Sequence, residues 1–172
     1  MFALRLKGWK WLLLVVLVLA ACTSVVHPSM VYPEEMPDDF DFSVEYGVEG
    51  KRKVDTFTDT VVKDLVMDGV VEANIALTDE EMQGIYGKMV AFDMMGKLDF
   101  EDDETSQCAT EPEMRTEWII HLDGELNIIR YATFCSETPD SQAIVELQDH
   151  IHEIVMAKEE YQKLPESNGY YE

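Results

Sequence analysis

Four histidines, His27, His121, His150 and His152, are the side chains best suited to metal binding or proton transfer near neutral pH. His150 and His152 lie two positions apart in a predicted helix, so their side chains point about 200° apart and cannot chelate one ion together. The chain contains neither the Cys-x-x-Cys nor the His-x-x-x-His spacing that supplies convergent zinc ligands. The sequence therefore predicts no metal site and no cofactor.

No motif for nucleophilic catalysis is present either. The Gly-x-Ser-x-Gly pattern is absent, whereas Ser-His-Asp and Cys-His groups converge only in space and have no fixed spacing. We expect a protein that is not an enzyme. A pocket in which a histidine lies beside a carboxylate or a hydroxyl would instead favour the alternative, a small envelope enzyme of the hydrolase class.

The densest run of charge is the segment from Asp99 to Glu104, in which every residue except Phe100 is acidic. Calcium takes about six to eight oxygen ligands from flexible acidic loops, so weak calcium binding is one interpretation of this run. The segment lacks the spacing and the glycine of an EF-hand loop. We favour a solvated loop, which also offers an electrostatic contact to a basic partner.

The overall charge narrows the classes of partner. The chain has 172 residues, with 13 basic and 35 acidic side chains and a formal net charge of -22. Nucleic acid is excluded as a partner because phosphate backbones are bound by Lys and Arg. The expected partners are cationic, such as a basic protein or peptide. The length suits a single domain.

The first 21 residues have the organisation of an export signal. Three basic residues precede an unbroken apolar run, Trp11–Ala21, which is shorter than the about 20 residues needed to cross a bilayer. The run ends in Leu19-Ala20-Ala21-Cys22, which resembles the lipobox of bacterial lipoproteins. The resemblance implies cleavage between Ala21 and Cys22 and attachment of a diacylglyceryl group to the Cys22 thiol, with palmitate among the implied acyl chains. The alternative is an ordinary secretory signal.

A lipid anchor on Cys22 would hold the protein on the extracytoplasmic side of a membrane in the cell envelope. Two acyl chains give stable attachment without a basic patch. Cleavage removes three of the 13 basic residues and none of the 35 acidic ones, so the mature charge is near -25. Residues 22–37 contain three prolines and predict an extended tether that reaches about 45 Å.

Residues 38–165 have the pattern of one α+β domain, followed by a C-terminal tail at 166–172. Alternating apolar residues predict strands at 40–48, 54–67, 71–77, 116–122 and 125–134, the last two joined by an Asp123-Gly124 hairpin turn. Helices are predicted from the capping box at Thr78 and from Pro139 to Leu164. The order βββ-α-ββ-α indicates an antiparallel sheet of about five strands with two helices.

Two details of this fold follow from composition. The apolar pairs Ile119-Ile120 and Ile128-Ile129 predict strands that are covered on both faces. Gly84 and Gly87 lie one turn apart in the first helix, where they mark either a close approach of the helix to the sheet or tolerated surface positions.

Segments of the domain also resemble small lipoproteins of Gram-positive bacteria. The residues that carry this resemblance are Thr78–Met82 with Ile85-Tyr86, and Glu160–Pro165 with Gly169-Tyr170. These motifs are short, and the resemblance implies a location and no activity.

Two cysteines, Cys108 and Cys135, remain after lipidation of Cys22. The hairpin register places Cys135 opposite position 112, and the intervening Glu111-Pro112-Glu113 can fold Cys108 back toward it. We expect a disulfide between them in the oxidising envelope. Two free thiols and an intermolecular bridge are the alternatives.

The sequence thus predicts a membrane-anchored extracytoplasmic lipoprotein that acts as an acidic, non-enzymatic binding or interaction module. The sequence does not indicate an oligomeric state. The lipid anchor on Cys22 is the prediction that a single substitution tests most directly.

Replacing Cys22 with Ala should block thioether formation and leave a precursor that keeps its signal. The measurement is the mass of the protein recovered from cells and its partition into detergent. A Cys22→Ala variant that is still cleaved after Ala21, and still partitions like the wild type, would contradict the lipobox interpretation.

Overall fold

The computed structural model describes residues 31–100, 110–132 and 138–171, which form an α+β fold. In this part of the chain six antiparallel strands make one sheet, in the spatial order β4-β3-β2-β1-β5-β6. The strands are β1 Asp41–Tyr46, β2 Arg52–Asp55, β3 Thr60–Val66, β4 Gly69–Asn74, β5 Arg115–Leu122 and β6 Glu125–Ala132. The predicted hairpin turn between β5 and β6 is confirmed, with Asp123 and Gly124 both at positive φ.

Three helices accompany the sheet in the described residues: α1 Asp79–Ala91, α2 Pro139–Ala157 and the short α3 Glu159–Gln162. The predicted capping box of α1 is confirmed, because the Glu81 amide donates to the Thr78 hydroxyl and the Thr78 amide donates to the Glu81 carboxylate. Thr138 and Ser141 cap α2 in the same reciprocal way. None of these helices is long and apolar enough to span a bilayer.

The prediction of a single strand over residues 54–67 is wrong. The chain turns between Asp55 and Thr60, so β2 and β3 are separate strands that pair with each other. Polar side chains hold this turn: the Thr56 hydroxyl donates to Asp41 and Asn74 donates to the Asp59 carbonyl. Threonines that resembled an irregular strand in sequence therefore stabilise a turn, and the sheet has six strands rather than five.

The second predicted helix is also shorter than expected. α2 ends at Ala157 because Lys158 adopts an extended backbone conformation, and the four residues of α3 follow it. The Lys158 ammonium contacts the Glu81 carboxylate at 2.5 Å, which ties this break to the start of α1. The chain thus has three helices in its described part instead of two.

The core lies on one face of the sheet, where α1 and α2 pack side by side. Alternate strand residues point into this face. Across β1 and β5, the register pairs Phe42 with Ile120 and Val44 with Trp118, and all four side chains are buried. The prediction that β5 and β6 are covered on both faces is wrong. Ile128 is 43% exposed and Leu126 is 59% exposed on the opposite face, which no described helix covers.

The glycines of α1 occupy surface positions. A Cβ atom added at Gly84 or Gly87 would meet no atom within 4 Å, so a close helix-to-sheet contact is not the reason for either residue. The helix also ends five residues before Gly96, the residue that its sequence suggested as a stop.

The described C-terminal segment packs back on the body. The Tyr171 hydroxyl donates to the buried Asp64 carboxylate at 2.7 Å, and Asn168 forms a parallel bridge with Val66. Tyr170, by contrast, is 74% exposed.

Substitution of one isoleucine on each face of the β5–β6 pair tests whether only one face of the sheet is buried. Replacing the fully buried Ile120 with Ala should lower the free energy of unfolding by about 2–5 kcal/mol, because the change leaves a cavity. The same replacement at the exposed Ile128 should cost less than about 1 kcal/mol. Urea denaturation of both variants measures the difference, and equal losses would mean that the open face is covered in the intact protein.

Candidate functional site

A cleft of about 780 Å³ lies at the end of the sheet where β1 and β6 finish and β5 begins. Its sheet wall is formed by the ends of these strands and by the start of β2, and its other wall is one flank of α2. The lining residues that matter for chemistry are Tyr46, Arg52, Thr116, Tyr131, Asp149 and Glu153. The volume is within the range of about 300–1,000 Å³ that is typical of ligand sites.

α2 forms one wall because it crosses the strand ends. Gln148 accepts a hydrogen bond from the Tyr131 hydroxyl at 3.4 Å, and His152 lies 2.8 Å from the Tyr46 hydroxyl. The apolar stripe of the helix, which includes Ile144 and Leu147, faces the core. At about 100° per residue, the same periodicity places Asp149 on the flank that lines the cleft.

Buried polar groups lie beneath the sheet wall. Thr116 and Tyr131 are register partners on β5 and β6, and the fully buried Trp118 is two residues further along β5. Burial raises the pKa of Tyr131, while the nearby Trp118 indole and Thr116 hydroxyl oppose that rise.

Tyr46, in the sheet wall of the cleft, contacts His152 of α2, a residue outside the cleft lining. Burial raises the pKa of Tyr46 and keeps its hydroxyl protonated. Burial and the Arg52 guanidinium lower the pKa of His152 and outweigh the opposing effect of Asp149 and Glu153. The imidazole is therefore neutral at pH 7, and its Nδ1 atom shares a hydrogen bond with the Tyr46 hydroxyl.

The α2 wall carries an excess of carboxylates. Glu146, Asp149 and Glu153 line the cleft from the helix, and Glu146 is paired with Lys88 at 2.8 Å. No ion pair of the described chain includes Asp149 or Glu153. Both residues are exposed, so they present negative charge to a molecule that enters the cleft.

The hydroxyl groups of the cleft are not arranged as nucleophiles. The Ser141 hydroxyl is occupied in the cap of α2, where it accepts from the Thr138 amide and donates to the Thr138 carbonyl. The histidine that lines the cleft is His150, on the same wall as Asp149 and Glu153. A pocket that holds a histidine near carboxylates is the observation that favours the hydrolase alternative. Tyr46 is bonded to His152 instead, and its raised pKa opposes formation of a phenolate.

Most of the site residues predicted from sequence lie outside the described residues. These are Ala21, Cys22, Cys108 and Cys135, together with His27 and residues 101–104 of the acidic run. The disulfide and the lipid anchor therefore stay predictions. Among the residues that the structure does describe, no group of three or more His, Cys, Asp or Glu side chains is placed to hold a metal ion.

Two described histidines have structural contacts. The Nδ1 atom of His121 lies 2.9 Å from the Asp39 carbonyl, at the hairpin between β5 and β6. His150 and His152 lie on different sides of α2, as their spacing predicted, and only His152 contacts Tyr46. The aromatic groups of the cleft were not predicted as a site, because in the sequence they are ordinary apolar positions of strands.

Comparison with known proteins adds no assignment. No family model matches the chain, and neither curated proteins nor solved structures provide a match. Function is therefore argued from the cleft and from the sequence.

The lowered pKa of His152 predicts a pH-dependent contribution to stability. Protonation is less favourable in the folded state than in the unfolded state, so this contribution is present above a pH of about 6.5 and is lost as the pH falls. The stability of a His152→Asn variant does not fall in this way, because the variant has no imidazole at position 152 to protonate. The stability difference between wild type and variant should therefore shrink from about pH 7.5 to about pH 5.5.

Urea denaturation at several pH values measures this difference. His150→Asn is the matched control, because it removes an imidazole from the same helix without removing the Tyr46 contact. A difference for His152→Asn that grows as the pH falls would contradict the neutral state of His152.

Proposed function

We propose that this protein is a lipid-anchored lipoprotein of the bacterial envelope whose body is an acidic, non-enzymatic module that binds a basic protein or peptide segment. The location rests on the lipobox at Leu19–Cys22 and on the signal before it. The single observation that carries the binding role is the cleft beside α2, with the unpaired carboxylates of Asp149 and Glu153 on its wall.

Charge and shape both support a basic ligand. The excess of acidic side chains attracts cations from a distance and raises the rate of encounter. Inside the cleft, Tyr131, Met114 and Val145 offer apolar surface to the stem of a Lys or Arg side chain. Two exposed carboxylates at the edge then pair with the cationic group, each contributing about 0.2–1 kcal/mol.

A small envelope enzyme of the hydrolase class is the second candidate. His150 favours it, because this imidazole lines the cleft on the same wall as Asp149 and Glu153. The occupied Ser141 hydroxyl speaks against it. Hydrolysis of a peptide or ester that is lost in His150→Asn would favour this candidate over the binding module.

The test is binding of a fluorescein-labelled hexalysine peptide to the mature protein in detergent, followed by fluorescence anisotropy. The double variant Asp149→Asn/Glu153→Gln should weaken binding about 2- to 30-fold, because two pairing groups of about 0.2–1 kcal/mol each are lost. The control is Asp123→Asn/Glu125→Gln, which makes the same change in charge at exposed positions of the β5–β6 hairpin, at the opposite end of the strands from the cleft.

The control should weaken binding by less than about 2-fold, since its carboxylates lie away from the cleft. Equal effects of the two double variants would show that hexalysine responds only to the net charge, and the cleft would then lose its assigned role.

A further inference from the structure

The chain enters the body through a fixed contact formed by Tyr32, Pro33 and Tyr86, here named the N-terminal clasp. The Tyr32 hydroxyl donates to the Asp93 carboxylate at 2.9 Å and accepts from the Met95 amide at 2.8 Å. The Tyr86 hydroxyl of α1 donates to the Pro33 carbonyl at 2.6 Å. The segment predicted as a tether is therefore attached to the body from Tyr32 onward.

This attachment leaves fewer residues between the predicted anchor and the body. Residues 23–31 separate the predicted lipidated cysteine from the clasp, and an extended chain of that length reaches about 28 Å. The full predicted tether would reach about 45 Å. The body is accordingly kept closer to the point of anchoring than the sequence alone indicated.

The clasp lies at the hairpin end of the sheet. Asn127 of β6 donates to the Met94 carbonyl, which places the loop after α1 beside the part of β6 near the hairpin turn. Asp39, just before β1, accepts from the Asp123 and Gly124 amides of that turn. The start of β1 and the entry of the chain are thus at the same end.

The cleft lies at the opposite end. Tyr46 is seven residues beyond Asp39 along β1, which corresponds to about 23 Å of extended strand. The two helices cover different ends of β1. Tyr86 of α1 packs on Phe40 near the clasp, and His152 of α2 contacts Tyr46 near the cleft.

The C-terminal segment marks the cleft end independently. In the β2–β3 pair Lys53 lies opposite Val62. Val66, four residues further along β3, therefore lies past the start of β2, at the end of the sheet where Arg52 lines the cleft. Asn168 bridges to Val66, and the neighbouring Tyr170 is exposed.

We infer that the N-terminal clasp orients the body with the β5–β6 hairpin toward the bilayer and the cleft away from it, so that the cleft takes a basic segment of a molecule approaching from the side opposite the membrane. This inference rests on the lipid anchor of the proposed function. Lipid headgroups of the anchoring bilayer are excluded as the ligand, because the cleft opens at the far end of the strands.

The charge of the hairpin end opposes insertion into anionic lipid. Asp39 and Asp123 lie at this end, where Asp39 accepts from the Asp123 and Gly124 amides. Anionic lipid repels these carboxylates, which keeps the hairpin out of the headgroup layer. The few residues between Cys22 and the clasp limit how far the body can move away from the anchor.

The experiment compares energy transfer from two positions to rhodamine-labelled lipid in vesicles of phosphatidylcholine and anionic phosphatidylglycerol. A donor dye is placed through an unnatural amino acid at position 125, beside the hairpin, or at position 170, near the cleft. The mature lipoprotein should transfer more efficiently from position 125 than from position 170. Equal transfer, or the reverse order, would overturn the inference.

Variants of the clasp make the test specific. Tyr32→Ala removes both hydrogen bonds of that hydroxyl and should reduce the difference in transfer between the two positions by at least about half. Val31→Ala is the matched control, because its side chain is 87% exposed, and it should leave the difference unchanged. A clasp variant that keeps the full difference would show that the clasp does not set the orientation.

Two further measurements separate this inference from the proposed function. Vesicle flotation reports whether the native protein is lipid-anchored. A chain that begins at Thr23 and is held by an N-terminal tag on nickel-chelating lipid reports the orientation even where flotation fails.

Hexalysine should bind the vesicle-held protein within about 2-fold of its affinity in detergent. Loss of binding on the vesicle alone would mean that the cleft faces the bilayer.

Discussion

The packing of both long helices on one face of the sheet is the constraint on which the rest of this structure depends. β1 and β5 form the centre of that face, where Phe42 lies 6.3 Å from Trp118 between ring centroids. Burial of such aromatic side chains dominates the energetics of a small core. The opposite face has no helix in the described chain, and it keeps ion pairs such as Lys53 with Asp55.

The cleft is a consequence of how α1 and α2 share that face. They are held antiparallel by two ion pairs, Lys88 with Glu146 and Lys158 with Glu81. This arrangement places α1 over the hairpin half of the strands and leaves α2 over their other ends. One flank of α2 consequently extends beyond the packed core, and its carboxylates face open space instead of a third layer. One face of the amphipathic helix α2 therefore packs in the core, and its carboxylate-bearing flank forms the cleft wall.

The sequence predicted the elements better than the site. Alternation of apolar residues located β1, β5 and β6, and the Thr78 capping box located the start of α1, because each signal is local. The turn before Thr60 was missed because threonine is common both in strands and in turns held by side-chain hydrogen bonds. The pair of Tyr46 and His152 joins residues 106 positions apart, and such a contact arises only when the helix is placed on the sheet.

Net charge links the cleft to the position of the body. In the proposed lipid-anchored state, the acidic excess repels anionic lipid, so the electrostatic force on the body is directed away from the membrane. Tyr32 and Tyr86 fix the entry of the chain at the hairpin end of the sheet. Under the same proposal, attachment through that end leaves the carboxylate-lined cleft, at the other end of the strands, farthest from the lipid.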